Sequence, residues 1–185
     1  MADGPTVWIG SDTQATDTQG DVNETGPKFS VHDGWAIGVA GCHFTANLIA
    51  AEIGGLVAGL TDVRSPAWEF TGRLSQLFRD YDYTPKEQDT GSPQWGGWYI
   101  LAGHGRVWAL DSCLSPLEYH HGQLVARGSG MDFARGVGFA MRQSDMPPSE
   151  IVGLGIEAAI AFDSGCGGNV WVERLGPPGL TIAAG

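Results

Sequence analysis

The stretch WIGSDTQAT, residues 8–16, sets the problem posed by this chain. It reads as a short buried strand, Thr6-Val7-Trp8-Ile9-Gly10, running into a polar turn that carries one acid, Asp12. A carboxylate at the end of a buried strand needs something to face. Outward from it, residues 12–27 are polar, and Lys28-Phe29-Ser30-Val31-His32 then alternates with period two. Asp33-Gly34 is a hairpin turn, and the apolar run Trp35-Ala36-Ile37-Gly38-Val39-Ala40-Gly41 is its second strand, expected to be buried on both faces.

The rest of the chain alternates between helix and strand signals. Residues 44–60 carry helical spacing, with Ile49, Ile53, Leu56 and Leu60 on one face. Pro66 opens a second helix whose stripe is Phe70, Leu74, Leu77, Phe78 and Tyr81. Residues 82–94 read as a loop. Strands return at 95–103 and 106–111 through a His104-Gly105 turn, and a further short strand or two lies within 117–125. After the turn Gly128-Ser129-Gly130, a helix is expected with Ala134, Val137, Gly138 and Met141 inward. A fourth helix opens at Pro147-Pro148 and runs through Ile151, Leu154, Ala158 and Phe162. A glycine-rich turn at 163–168 and a last strand at 169–175 follow. The order predicts a mixed α/β (α+β) fold. It is a four-layer α/β/β/α sandwich of two antiparallel sheets, each covered outside by helices, in one domain over 1–175 with a flexible tail at 176–185.

Composition narrows the function. With 185 residues, 42% hydrophobic content, seven Trp and seven Phe, the chain can bury a sizeable core. Ten basic against 21 acidic residues leave a net charge of −11, a poor match for nucleic acid or an anionic membrane. No apolar run reaches the roughly 20 residues of a membrane span. Cys42, Cys113 and Cys166 are widely spaced and form no C-x-x-C, which points to a reducing, cytoplasmic setting. Adjacent His120 and His121 would point to opposite faces of a strand, so no metal site is expected. The Gly-Ser-Gly turn lacks the third glycine of a dinucleotide fingerprint, since Phe133 stands there, and no cofactor is expected. Ser129 is left with two readings, a helix cap or a functional hydroxyl at a helix start.

Asp12, Lys28, Ser129 and Asp163 each fall at or beside the end of a predicted element. An Asp/Lys pair in a partly dry cleft would lower the pKa of a neighbouring hydroxyl or amine, but it needs a nucleophile to act on. A solvated Lys28 with Asp12 as a turn cap is the alternative.

Four stretches together resemble the β-type subunits of the proteasome and their bacterial and phage relatives among the N-terminal-nucleophile hydrolases. They are VWIGSDTQAT, GPKFSVHDGWAIGVAGCHFTANLI, VARGSGMDFARGVGFAM and SEIVGLGIEAAIAFDSGCGGNVWVERL, in order from about residue 7 to 175. The resemblance implies the same sandwich and a set of roles. Asp12 and Lys28 match the family's acid and lysine, and Gly41 the glycine whose N–H holds the oxyanion. Ser129 and Asp163 match the pair around the nucleophile's amine, and Val39 would line the substrate pocket. The family's nucleophile is the first residue of the mature chain, a threonine and sometimes a serine or cysteine. On this spacing it falls about five residues before Met1. Thr6 cannot replace it, because its amine lies in a peptide bond.

Three explanations follow from that spacing: a start-site truncation of an active enzyme, an inactive ring-assembly subunit, or removal of Met1 with another group acting. The resemblance implies a peptide or amide substrate and a homo-oligomer, of the ring kind that the family forms, assembled through helices 44–60 and 66–81. Any ATPase partner is unreadable. A small-molecule amidase on the same fold is a further alternative. The 185-residue chain itself is expected to show no peptidase activity.

Overall fold

The computed structural model describes residues 1–16, 19–84, 86–87 and 93–176. Its strands are β1 (Ala2–Asp3), β2 (Thr6–Ser11), β3 (Gln14–Thr16), β4 (Val22–Glu24), β5 (Phe29–His32), β6 (Trp35–Gly41), β7 (Lys86–Glu87), β8 (Pro93–Gln94), β9 (Gly97–Gly103), β10 (Arg106–Leu110), β11 (Pro116–Tyr119) and β12 (Trp171–Leu175). Its helices are α1 (His43–Val57), α2 (Pro66–Asp80), α3 (Met131–Met141) and α4 (Pro148–Phe162), with a 3-10 turn at Leu60–Asp62.

Two antiparallel sheets form the centre. One runs β1-β2-β12 and the other β11-β10-β9-β6-β5. The β5–β6 hairpin closes through Asp33 and Gly34, both left-handed at φ 49° and 76°, as the twist-matching two-residue turn requires. His104 and Gly105 do the same between β9 and β10.

Period-two alternation decides what each sheet buries. From β2, Val7 and Ile9 point between the sheets and meet Phe29, Ala36, Ala102 and Val107. On the outer face of the larger sheet, Trp35, Ile37, Tyr99 and Leu101 pack under Ile49 of α1 and Phe70 and Phe78 of α2. Helices α3 and α4 pack on each other, and α4 lies against β2 and β12. The result is the expected four-layer sandwich.

Several local expectations are corrected. The polar segment after Asp12 holds a small hairpin of β3 and β4, which sequence polarity hides because β4 is exposed throughout. Helix α1 ends at Val57, and Leu60 reaches the core from the 3-10 turn instead. Tyr81 caps α2 and is exposed. The inner face of α4 is Ile151, Val152, Gly155 and Ala159, whereas Leu154 and Phe162 are exposed at 37% and 73%. Of the expected row, Ile151 is buried and Ala158 half-buried, and the inner face follows the neighbouring row of the same apolar helix. In α3 the stripe of Ala134, Val137, Gly138 and Met141 is half-buried, and no residue of that helix is fully buried. In the second strand of the β5–β6 hairpin, burial is complete only from Trp35 to Ile37. Of the expected tail, residues 177–185 lie outside the described residues, as does part of the 82–94 loop. Among the described residues no helix is long and apolar enough to cross a membrane.

Candidate active site

Strand β2 ends at Ser11, and the chain turns at Asp12 so that its carboxylate enters the space between the sheets. Asp12 Oδ1 lies 2.7 Å from Lys28 Nζ, just before β5. Asp12 Oδ2 accepts N–H groups from Gly167 at 3.0 Å and from Gln14 at 3.3 Å, the latter closing a local turn of the kind Asp favours. The acid is buried, while the Lys28 side chain keeps 30% exposure. Ser11 Oγ accepts the Lys28 backbone N–H at 2.9 Å and so fixes where that side chain departs. The pair is therefore held from three elements.

It opens on a cleft of about 550 Å³. Val39, Gly41 and Ser129 line it, as do Gly165 and Cys166 from the turn after α4. Gly41 has φ +123°, and a Cβ there would sit 3.1 Å from Gly96 O, so a side chain would be both strained and crowded. Val39 N–H bonds to Lys28 O at 3.0 Å. By ladder alternation the Gly41 N–H lies on the same strand edge, beyond the last carbonyl that the hairpin partner offers.

Ser129 makes no side-chain cap bond; Gly130 occupies the N-cap of α3. The helix-cap reading is thereby set aside. Its Oγ lies 3.9 Å from Cys166 Sγ. Asp163 terminates α4, and its Oδ1 accepts the Gly165 N–H at 2.6 Å. A Cβ at Gly165 would come within 2.7 Å of Ser129 Oγ and 3.0 Å of Asp163 Oδ1. The hydroxyl and this acid therefore both flank Gly165, where a side chain would clash with the hydroxyl.

Three contributors escaped the sequence reading: Ser11, the Gly167 N–H and Cys166. Cys166 had registered only as a third widely spaced cysteine. Its thiol is pushed above the usual cysteine range, chiefly by burial and then by the Asp12 and Asp163 charges, against an opposing bond from Ser129. It stays protonated and acts here as a weak hydrogen-bonding group, not as a thiolate. Backbone donors carry no side-chain signal, so Gly167 was legible only as part of a glycine-rich turn.

The first strand borders the same cleft. Met1 N donates to Trp8 O at 2.6 Å, and Trp8 N–H returns a bond to Met1 O at 2.8 Å, extending the β1–β2 ladder by one pair. Burial of this amine lowers its pKa to about 5.

No protein-family model matches the chain, and no curated protein does. Solved structures do. BPH from Thiobacillus denitrificans, in a structure in complex with Epoxomicin, superposes with a TM-score of 0.75 at 16% identity, covering 96% of this chain and 97% of that one. A second structure of the same BPH gives 0.74 at 19% identity, with 96% of both chains covered. Eukaryotic HslV from Trypanosoma brucei gives 0.70 at 19% identity, with 94% and 95% covered. At these identities the likeness speaks of architecture: the chain has the fold of the BPH and HslV proteins, the four-layer α/β/β/α sandwich.

Proposed function

We propose that this chain is a proteasome-type N-terminal-nucleophile hydrolase subunit that cleaves peptide or amide bonds. The observation that carries the reading is the part-buried Asp12–Lys28 pair at 2.7 Å opening on the cleft. The nucleophile would ride on a strand entering ahead of Met1. The ladder supplies an argument independent of spacing along the chain. Met1 pairs with Trp8, so residues added before it continue the ladder opposite Ile9, Gly10 and Ser11, where β2 ends, and the next two run on past the turn at Asp12. Alternation gives the fifth added residue the same face as those opposite Ile9 and Ser11, the face on which Lys28 lies.

There the Lys28 ammonium would lower the pKa of the threonine hydroxyl. The threonine's own α-amine takes the hydroxyl proton, with Ser129, Asp163 and Cys166 around it. The hydroxyl oxygen bonds to the amide carbon, and the oxyanion is received by the Gly41 N–H. The C–N bond then breaks, and the leaving amine takes the proton from the α-amine. Water hydrolyses the acyl-enzyme by the same proton path. The three free cysteines favour a cytoplasmic setting.

The test is a chain extended by five residues and processed to begin with threonine. It should gain one covalent adduct from a threonine-directed inhibitor, epoxomicin being the first choice, and Lys28→Ala should abolish the adduct. The 185-residue chain should not react. No adduct on a folded, threonine-led chain would leave the second reading, a structural ring subunit. That reading draws on Trp68, 63% exposed at the start of α2, with Phe44 and Tyr81 exposed on the same helix pair. Sedimentation of only a 19.5 kDa species at tens of micromolar would count against it.

A further inference from the structure

The cleft carries one cation that the hydrolase chemistry leaves unused. Among its described lining residues Asp12 is the one carboxylate, and the Lys and Arg side chains are those of Lys28 and Arg127. Asp12 and Lys28 neutralise each other. Arg127 is half-buried and forms no ion pair among the described residues. One of its N–H groups donates to the neighbouring Ala126 O at 3.1 Å, and the rest of the fork is left to the cleft. The chain as a whole carries −11, which opposes an anionic ligand at long range. Exposed charges more than about 8 Å away are largely screened at physiological salt, so the groups lining the cleft decide.

The position of Arg127 selects the part of a substrate that it meets. Along β6, Ala36, Gly38 and Ala40 face the space between the sheets, where Ala36 is buried with Val7 and Phe29. A Cβ on Gly128 would lie 3.4 Å from Ala40 Cβ, and one on Gly130 would lie 2.7 Å from Cys166 Sγ. Residues 127–130 therefore run along the inter-sheet wall, from the Gly41 end of β6 toward the turn after α4. Helix α1, which also lines the cleft, packs on the outer face of the same sheet. In the reaction above, the leaving amine takes its proton beside Ser129, so the leaving portion of the substrate lies along the wall of residues 127–130. Arg127 precedes Ser129 by two residues, at most about 7 Å of chain.

We propose that Arg127 binds a carboxylate on the leaving-group side of the substrate, a specificity that rests on the hydrolase reading. Preferred substrates then release an amine whose own residue bears either an acidic side chain or a free C-terminal carboxylate. Both present the same group close to the leaving nitrogen, and the planar guanidinium fork can hold either one through two parallel N–H bonds.

The test uses the threonine-led chain and two peptide sets. One is acetyl-Ala-Ala-Leu-Glu-Ala amide with its Gln and Lys congeners; the other is acetyl-Ala-Ala-Leu-Ala with a free carboxylate and as the amide. Cleavage after Leu should favour Glu over Gln in kcat/KM by roughly fivefold or more, if the side chain is read, or the free carboxylate over the amide by as much, if the chain end is read. Arg127→Gln should bring that ratio close to one, Arg127→Lys should restore part of it, and Arg127→Glu should favour the Lys peptide. Damage to the fold lowers both rates together and leaves the ratio intact. Titration of the same peptides, read at the Arg127 guanidinium nitrogen by NMR, reports binding whether or not cleavage follows. A saturable shift with a carboxylate peptide and none with its neutral congener supports the proposal. Equal ratios with no shift leave Arg127 a merely hydrated side chain and overturn it. Epoxomicin has no leaving amine, so its adduct tests the hydrolase reading alone: labelling without carboxylate preference sinks this proposal, whereas no labelling sinks that reading.

Discussion

The two helical layers do opposite work. Beneath α1 and α2, Trp35, Tyr99, Phe70 and Phe78 are fully buried, and the Phe78 ring packs tilted against Trp95 at 5.4 Å and Tyr99 at 6.1 Å. Beneath α3 and α4 there is a cleft, and α3 buries no residue completely. Aromatic side chains are present there too, but Phe133 and Phe162 pair with each other outside. One layer closes a core, and the other roofs a cavity that a ligand or strand can enter. A fold of this size can leave one half open because the other half carries the packing.

The largest expected effect tests the closed half. Phe78→Ala should cost about 4 kcal/mol, since it removes a fully buried ring from a cluster that cannot collapse around the gap. A loss below about 1 kcal/mol in urea denaturation would mean that this layer is not the stabilising one.

Asp12→Ala comes next, at about 3 kcal/mol. It strands the Lys28 ammonium and the Gly167 and Gln14 N–H groups together. Asp12→Asn should recover part of the loss, because an amide oxygen can still accept from the backbone. Equal losses for both variants would show that the carboxylate's charge, and not its acceptor geometry, holds the turn after α4.

The open half should also be pH-sensitive through the Met1 amine. Unfolded, this amine titrates near 8.0; folded, near about 5. Between those values the unfolded state holds the extra proton, so stability rises with pH across the window. From pH 6 to 7.5 the 185-residue chain should gain about 2 kcal/mol relative to an N-acetylated chain, whose N–H can still donate to Trp8 O. Parallel pH profiles for the two would remove the buried amine from the account.

The smallest effect marks the contrast itself. Phe162→Ser should cost less than about 1 kcal/mol, because the ring is 73% exposed. A loss approaching that of Phe78→Ala would erase the distinction between the layers.

Much of this was legible in the chain. The D-G turn at Asp33-Gly34 and the alternation before it gave the β5–β6 hairpin, since a two-residue turn leaves only one register. The helix stripe through Phe70, Leu74 and Phe78 was clear because α2 is polar on its other face. Helix α4 has little such contrast: beyond Ile151, which is buried as expected, periodicity could not choose between the row of Leu154, Ala158 and Phe162 and that of Val152, Gly155 and Ala159. The β3–β4 hairpin left no hydrophobic trace because it packs little and is held by bonds such as Asn169 N–H to Thr13 Oγ1, 156 positions apart.

The sequence by itself determined the layer order, the sheet hairpins and the positions of Asp12, Lys28, Ser129 and Asp163 at element ends. These follow from local periodicity and turn chemistry, which act over a few residues. Only the tertiary structure decided that Asp12 meets Lys28, that Ser129 and Asp163 both flank Gly165, that Cys166 stands beside Ser129, and that the Gly10 N–H and C=O turn away from β12. Each of those is a contact between segments 16 to about 155 residues apart, or a main-chain direction fixed by a neighbouring strand. Such contacts depend on how twisted sheets and helices pack, and no local signal in the chain encodes them.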